Sequence, residues 1–401
     1  MSNFKNNIKV PYGLAVHGKD EEEAVLEVIR THKTIMGNKI KQFERTVAKL
    51  FDKKFGIMVN SGSSANLLAF ELLNLPKNSE IITPILTFST TISPIIQKQL
   101  VPVFVDVEPD TFVINVNQID EVITKQTKAM MIPSLIGNIP NLKKIRKIAD
   151  DNLLVYVEDS ADTLGATFDG YSTGRYSDIS TSSFYGSHII TAAGEGGIIC
   201  VNKEAWNRKA RILRGWGRSS AIDESEDIKK RFKVRLNNIA YDSKFIFEAI
   251  GYNFLPSEIS AAFGLVQLKK LKNFAEIRQR NFKQLFNFFS THDYFSLPKQ
   301  LPQVKTSWLA FPLTIKSNAP FSRLEIVSFL EKNNIQTRPV FTGNILRQPG
   351  FKHIKHNNLR KDFPVADFVM KNSFLIGCNH GLKQKHLDKI KQTFRKFLDK
   401  F

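Results

Sequence analysis

The stretch Ser182–Asn202, "SSFYGSHIITAAGEGGIICVN", has the pattern of a strand, an irregular loop and a second strand. The loop contains a single histidine, His188, and the glycine-rich run Gly194–Gly197. Glycine and other small residues let a backbone turn sharply and approach a ligand closely. The loop is therefore suited to hold a cofactor, and the question is what a histidine does within it.

Short apolar strands alternate with amphipathic helices around this loop, from about residue 20 to residue 205. The strand patterns are "FGIMVN", "EIITP", "PVFVDV", "AMMIPSL" and "LLVYVED", and helical patterns include "EEEAVLEVIRTH" and "IKQFERTVAKLF". Such alternation is typical of an α/β fold in which a mostly parallel sheet carries helices on its faces.

The rest of the chain predicts an exposed insertion and a second, smaller domain. Residues 218–245 are charged and have little apolar periodicity, which predicts the insertion. A long helical pattern follows over 257–289, as two helices or as one helix with a bend, and an α+β pattern begins at about residue 290. We expect a large domain over 1–270 and a small C-terminal domain with the connecting helix over 271–401.

The composition argues against several classes of protein. The 401 residues are 42% hydrophobic, which allows a large core, and the only cysteines, Cys200 and Cys378, predict neither a disulfide framework nor a metal site. Apolar runs of about 18 residues and a signal peptide are lacking, so we expect a cytoplasmic protein without a membrane span. The net charge of +19 comes from dispersed lysines, which favour a solvated surface or a phosphate-bearing substrate over nucleic acid.

Three short motifs contain residues of kinds that also occur in ligand sites, and each of them alone is weak evidence. Ser61, Gly62 and Ser63 lie between a predicted strand and a helix, where free N–H groups either bind phosphate or belong to an ordinary helix cap. Asp159 ends a predicted parallel strand, where α/β sheets bind ligands, although Asp is also a common helix cap. Phe88 follows the strand "EIITP" and either stacks on a planar ligand or packs in the core.

In this order, the motifs resemble the DegT/DnrJ/EryC1/StrS sugar aminotransferase family of pyridoxal-phosphate enzymes. The resemblance begins at about residue 36 and includes "MGNKIKQFE", "NSGSSANLLA", "PVFVDVEPDTFVIN", "EDSADTLGA", "SFYGSHIITAAGEGG" and "GYNFLPSEISAAFGLVQL". It implies the aspartate-aminotransferase fold (type I), with a large mixed, mostly parallel sheet domain and a smaller α+β C-terminal domain. It also implies a homodimer with active sites at the subunit interface.

The resemblance further implies which residues contact the cofactor. Ring contacts are implied for Phe88, which stacks on the pyridine ring, and for Asp159, the partner of the ring nitrogen. Asp162 stands where the family usually has Gln, near the phenolic oxygen. The implied phosphate contacts are Gly62, Ser63, Ser183 and, from the partner subunit, Asn253. A carboxylate at the ring nitrogen keeps it protonated, which makes the ring an electron sink.

His188 is the departure from the common family pattern. The corresponding residue of the aminotransferases is a lysine that forms a Schiff base with the cofactor and moves protons. Histidine is not a usual Schiff-base former, but its ordinary pKa of about 6.5 suits acid–base catalysis. The cofactor is therefore expected to bind non-covalently. The loop from His188 to Gly194 is one residue longer than the family pattern, which leaves the placement of 189–193 and the imidazole orientation open.

Histidine in place of lysine is the mark of the sugar 3-dehydratase branch, which acts on GDP- or CDP-linked 4-keto-6-deoxyhexoses. "RGWGRS", "RPVFTGNILRQPG" and "FLIGCNHGL" add to this resemblance. It implies that L-glutamate converts pyridoxal phosphate to pyridoxamine phosphate, which then serves removal of the C3 hydroxyl in 3,6-dideoxysugar and O-antigen lipopolysaccharide biosynthesis. His188 would take a proton from the cofactor's 4′ carbon and supply one to the leaving hydroxyl.

The segments "RGWGRS" and "RPVFTGNILRQPG" also suggest substrate contacts and bear on metal binding, with less support. Candidate contacts to a carboxylate or diphosphate are Arg218, Asn344, Arg347 and His353. The CDP-linked members of the branch carry a [2Fe–2S] cluster on cysteines that follow their "WGR" segment. In this chain the segment is followed by two serines, so we expect neither an iron–sulfur cluster nor another metal.

Three alternative functions remain open at this point. The first is a nucleotide-sugar aminotransferase with an unusual catalytic residue. The second is a non-catalytic regulator that binds pyridoxal phosphate. The third is nucleic-acid binding through the positive charge, which alone would give only salt-sensitive affinity without sequence preference.

Overall fold

The computed structural model describes residues 8–222, 226–357 and 359–401. Its larger domain is built on a seven-stranded sheet. In order across the sheet, the strands are β1 (Phe55–Val59), β9 (Gly197–Val201), β8 (Ile179–Ser183), β5 (Val155–Asp159), β4 (Thr127–Pro133), β2 (Glu80–Pro84) and β3 (Val101–Val105). The strands from β8 to β3 pair in parallel, whereas β9 is antiparallel to both β8 and β1. The predicted mixed, mostly parallel sheet is confirmed.

Helices cover both faces of this sheet, which explains why most of its strands are apolar without alternation. Six helices belong to this layer: α1 (Lys19–Arg30), α2 (Asn38–Leu50), α3 (Gly62–Leu73), α4 (Ser89–Gln97), α5 (Leu142–Asp151) and α6 (Glu204–Arg214). Successive residues of β4 enter opposite cores: Met131 joins the face shared with α3, and Met130 joins the face covered by α5. The alternation of the pleat thus serves two apolar layers.

A single helix of 32 residues, α8 (Glu258–Phe289), connects the two domains. The predicted boundary at residue 270 falls within it. Its N-terminal half packs against α1 and α2, and its C-terminal half contacts α11 (Gln384–Leu398). A rigid helix of this length fixes residues of both domains relative to one another.

The smaller domain is α+β, as expected. Its four-stranded antiparallel sheet has the order β12 (Phe295–Ser296), β14 (Ala310–Ile315), β16 (Ser373–Gly377) and β15 (Thr337–Pro339). Helices α9 (Arg323–Lys332) and α10 (Pro364–Asn372) pack on it together with α11. The N-terminal segment joins this domain, because Val10 bridges to Ile335.

Two smaller sheets lie outside these layers. A three-stranded sheet contains β13 (Val304–Lys305), β6 (Thr167–Phe168) and β7 (Tyr171–Ser172). The predicted insertion contains the short helix α7 (Ile228–Arg231) and the hairpin of β10 (Val234–Leu236) and β11 (Ile239–Tyr241), and most of its described side chains are exposed. None of the helices in the described ranges is long and apolar enough to cross a membrane.

Candidate active site

A cavity of about 450 Å³ opens where three parallel strands end. The last residues of β4, β5 and β8 all line it, namely Pro133, Asp159 and Ser183. Seven of the eight residues predicted to act in catalysis or to contact the cofactor meet there: Gly62, Ser63, Phe88, Asp159, Asp162, Ser183 and His188. The carboxyl edge of a parallel sheet is the usual ligand site of such folds, and here it gathers residues far apart in the chain.

The start of helix α3 forms one end of the cavity. Ser61 caps the helix, because its hydroxyl accepts a hydrogen bond from the Ser64 N–H at 3.1 Å. A Cβ on Gly62 would lie 2.6 Å from the Ser183 Cβ, so only glycine permits this close approach. The first N–H groups of a helix have no partner within it, and its dipole favours an anion. This end of the cavity is therefore suited to hold a phosphate.

Asp159 carries a buried carboxylate that is fully oriented by neighbouring side chains. One of its oxygens accepts hydrogen bonds from Asn66 Nδ2 at 3.0 Å and Thr91 Oγ1 at 2.9 Å. The other accepts a bond from the Ala161 N–H at 3.2 Å. Burial raises the pKa of Asp159, while the bonds from Asn66 and Thr91 oppose that rise. No described cation pairs with it, so the carboxylate is ready for a positively charged N–H donor in the cavity.

The loop that carries His188 is closed by main-chain hydrogen bonds. Phe184 donates to the Gly196 carbonyl and accepts from the Ala192 N–H, at 2.9 and 3.0 Å. Ala193 and Gly194 adopt positive φ of 59° and 104°, which marks a tight turn before β9. The loop therefore holds a defined conformation between β8 and β9.

The His188 imidazole is held by one contact and is directed into the cavity. Nδ1 lies 3.4 Å from the Ser183 carbonyl, which can only accept, so Nδ1 carries the proton and Nε2 presents a lone pair. Nε2 lies 4.0 Å from a carboxylate oxygen of Asp162. Burial lowers the pKa of His188 to about 4. At neutral pH the residue is therefore a neutral base with its acceptor nitrogen toward the cavity.

Asp162 is the acid that faces His188. Its other carboxylate oxygen accepts the Ile136 N–H at 2.8 Å. Burial raises the pKa of Asp162 to about 7, and the neighbouring Asp159 adds to the rise. Asp162 can therefore lose or hold a proton near neutral pH. A carboxylate beside the imidazole would stabilise it once protonated.

The remaining walls come from the loop after β2 and from the smaller domain. Phe88 is half exposed, lines the cavity and meets the Phe341 ring edge to face at 6.0 Å between centroids. Arg338, in β15, lines the cavity with its guanidinium 5.5 Å from the Tyr12 ring. Arg338 is the only Arg or Lys among the described residues that line the cavity, and its one hydrogen bond goes to the Thr337 carbonyl.

The four weaker substrate candidates lie outside the lining of the cavity. Asn344 is buried, and its amide is used within the protein: Nδ2 donates to Asp367 at 2.9 Å and Oδ1 caps the Leu346 N–H at 3.1 Å. Arg347 forms a two-bond ion pair with the same Asp367. These contacts favour structural roles for both residues over the substrate contacts expected from sequence.

The other two candidates are placed differently. The Arg218 guanidinium lies 4.4 Å above the Trp216 ring, and its buried Nε has no protein partner. His353 is exposed on the surface. Asn253, expected to reach a partner subunit, is also exposed, and its main chain bridges to Gly215. Neither the described His/Cys/Asp/Glu residues nor the two buried cysteines form a group able to hold a metal.

Several residues that shape the site gave no local signal in the sequence. They are Tyr12, Asn66, Thr91 and Arg278, whereas Arg338 begins the segment "RPVFTGNILRQPG" that suggested substrate contacts. Asn66 and Thr91 lie in helices, where they face the sheet and reach Asp159 only through the packing of α3 and α4. Tyr12 and Arg338 enter from the smaller domain side. Each depends on contacts between distant parts of the chain.

Comparison with known proteins identifies the family. The model of the "DegT/DnrJ/EryC1/StrS aminotransferase family" matches residues 16–395. The chain belongs to this family. It is 35% identical to a dTDP-4-dehydro-2,6-dideoxy-D-glucose 3-dehydratase of Saccharopolyspora spinosa, with 96% of this chain and 86% of the relative covered. It is 31% identical to a GDP-4-keto-6-deoxy-D-mannose 3-dehydratase of Yersinia pseudotuberculosis, covering 96% and 98%.

The fold agrees with that of solved members of the family. A crystal structure of GDP-4-keto-6-deoxymannose-3-dehydratase with a trapped PLP-glutamate geminal diamine superposes with a TM-score of 0.87 at 29% identity. The alignment covers 96% of this chain and 99% of that one. The predicted aspartate-aminotransferase-like fold is confirmed.

Proposed function

We propose that this protein is a 3-dehydratase that uses pyridoxal and pyridoxamine phosphate to remove the C3 hydroxyl of a nucleotide-linked 4-keto-6-deoxyhexose, with L-glutamate as the amino donor. The observation that carries the proposal is His188, a neutral base directed into the cavity where the family's aminotransferases have lysine. Relatives named 3-dehydratases, at 31% and 35% identity, support it.

The residues present fit pyridoxal phosphate. The N–H groups at the start of α3, with the Ser63 and Ser183 hydroxyls, would hold the phosphate. Asp159 would hold the protonated ring nitrogen, and Phe88 would cover one face of the ring. The bound cofactor supplies an electron sink for the carbon next to its amine. The lack of a cationic partner for Asp159 among the described residues is the observation that supports this fit.

His188 is assigned the proton transfers. Its Nε2 can accept a proton from a carbon held in the cavity, and the Asp162 carboxylate at 4.0 Å would stabilise the imidazolium formed. The charged imidazole can then donate the proton to a departing hydroxyl. No lysine lines the described cavity, so no side-chain amine is available to bind the cofactor covalently and divert the reaction to simple amino transfer.

We assign to Arg338 the binding of the anionic end of a substrate. Glutamate carboxylates and sugar-nucleotide diphosphates both require a cation, and guanidinium binds such groups with paired hydrogen bonds. Arg338 lines the cavity, whereas Arg347, which the sequence suggested, is already paired with Asp367. We therefore transfer the expected role from Arg347 to Arg338.

A homodimer is part of the proposal. The insertion and the segment after it expose large apolar side chains that a soluble monomer would bury: Phe232, Leu236, Ile239, Phe245, Phe247 and Ile250. A surface of this kind marks a protein–protein contact, and the implied dimer of the family supplies the partner. Sedimentation equilibrium of the full chain tests this, and a monomer at micromolar concentration would overturn it.

The decisive experiment is mass spectrometry of products. The protein is incubated with pyridoxal phosphate, glutamate and a panel of GDP-, CDP- and dTDP-linked 4-keto-6-deoxyhexoses. Dehydration predicts a 3-deoxy product and release of ammonia. An aminated sugar would instead identify a nucleotide-sugar aminotransferase, which the family's description also allows. Cofactor binding with no product would indicate a regulator.

A His188→Lys variant gives a second test. The introduced amine should bind the cofactor covalently, so that borohydride fixes it to the chain, and dehydration should be lost. The wild type should show no such fixation. If borohydride fixes the cofactor to a lysine of the wild-type chain, the assignment of His188 is wrong.

A further inference from the structure

Arg278, on the connecting helix α8, lies behind the catalytic loop rather than in the cavity. It is fully buried. Its guanidinium donates to the main-chain carbonyl of His188 at 3.1 Å and to that of Leu309 at 3.0 Å. Its Nε donates to Nδ1 of His380 at 3.2 Å. One side chain thus joins the loop of the base, the cavity wall of the smaller domain and the "CNHGL" segment, whose use was not apparent from sequence.

The charge of Arg278 is unpaired, which requires an explanation. Its hydrogen-bond partners are neutral, and no described carboxylate forms an ion pair with it. A buried charge without a counter-ion costs several kcal/mol in a protein interior. A neutral amide could satisfy some of the same carbonyls at lower cost, so the contacts alone do not account for a cation.

The charge acts on the two titrating groups of the site. Arg278 opposes protonation of His188, and this adds to the effect of burial on the His188 pKa. It also favours the carboxylate form of Asp162. The other groups that face the imidazole are the Ser183 carbonyl and the Tyr185 ring, whose centroid lies 6.0 Å away. The cavity adds four more ionisable side chains: Tyr12, Asp159, Glu195 and Arg338.

We propose that Arg278 is a positioning residue for the reaction: its hydrogen bonds fix the main chain at His188, and its guanidinium places a fixed positive charge behind the loop that carries the imidazole. The role of Arg278 in catalysis rests on the proposed function, whereas its effect on the titration of the His188 imidazole does not. A structural role alone would stabilise the fold without changing the titration of His188.

Two variants separate the hydrogen bonds from the charge. Arg278→Lys keeps the cation but cannot make all the hydrogen bonds of a guanidinium, and Arg278→Met removes both. The matched control is Arg280→Met, two residues along the same helix and exposed. Histidine proton NMR of the cofactor-free protein measures the titration directly, because only eight histidines are present and a His188→Asn variant assigns the signal.

We expect Arg278→Met to move the His188 pKa up toward its ordinary value and Arg278→Lys to leave it low. Both should reduce kcat for the glutamate half-reaction, by about 100-fold for a displacement of the base by about 1 Å. In the Met variant the acidic limb of the pH–rate profile should also shift to higher pH. Arg280→Met should change none of these quantities.

An unchanged His188 titration in Arg278→Met, or normal kcat in both variants, would overturn the proposal. If the Met variant does not fold, the Lys variant still decides, because it must combine a low His188 pKa with a reduced kcat. If the wild-type protein makes no dehydrated product, the proposed function is wrong. The NMR titration would then still test whether Arg278 affects the His188 pKa.

Discussion

Asp162→Asn should change how the stability of the cofactor-free protein depends on pH. The substitution keeps the size of the side chain and an oxygen that can accept the Ile136 N–H, but removes the ionisation. Burial raises the pKa of Asp162 from 3.8 to about 7. An acid whose pKa is raised on folding contributes stability below its unfolded pKa and loses it as the pH rises through the folded pKa.

The magnitude follows from the distance between the two pKa values. The folded and unfolded pKa values of Asp162 differ by about three pH units, and each unit corresponds to about 1.4 kcal/mol of unfolding free energy. Ionisation of Asp162 therefore lowers the stability of the folded state by about 4 kcal/mol in all. About 3 kcal/mol of this loss falls between pH 5 and pH 8. The asparagine variant should not show this loss. The difference in unfolding free energy between the two proteins should therefore change by about 3 kcal/mol over that range, with the wild type weaker at pH 8.

Equilibrium urea unfolding at fixed protein concentration measures this difference. Histidine titration contributes in the opposite direction: because the pKa of His188 is lowered to about 4, its contribution is lost as the pH falls from about 6.5. Asp162 is largely protonated, and so as uncharged as asparagine, in the pH range where this contribution is lost, so the contribution is nearly the same in both proteins. Parallel stability curves for wild type and variant would refute the view that Asp162 is a desolvated acid.

Four further substitutions test the architecture of the site. Asn66→Ala removes one donor to the Asp159 carboxylate and should weaken cofactor binding by about tenfold or more, measured by absorbance titration. Gly62→Ala places a methyl group 2.6 Å from the Cβ of the serine that ends β8 and should largely abolish cofactor binding while leaving far-UV circular dichroism unchanged. Arg338→Ala should raise KM for an anionic substrate by about tenfold or more. Arg347→Ala should leave KM unchanged and lower the stability of the fold slightly. If steady-state kinetics instead show a raised KM for Arg347→Ala and an unchanged KM for Arg338→Ala, Arg347 is the residue that binds the substrate.

The local signals in the sequence were sufficient for much of the fold. Short apolar strands alternating with amphipathic helices predicted the parallel sheet, because both faces of such strands must be covered. The strand that ends in Asp159 and the turn at Gly62 were also recognisable, because strand ends and helix starts are defined by residues that are neighbours in the sequence. The sequence did not resolve whether 257–289 forms one helix or two, because a bend depends on what packs against the helix. The structure has one continuous helix there, α8.

Residue type and order in the chain determined that His188 stands where lysine would be expected, and with it the class of chemistry proposed. Tertiary structure alone decided which cations reach the cavity: Arg338 lines it, while Arg347 is paired with Asp367. It also placed Arg278 behind His188, 90 positions away in the chain. The physical reason is that burial, charge pairing and pKa depend on what surrounds a group in space, and that environment comes from distant segments brought together by folding.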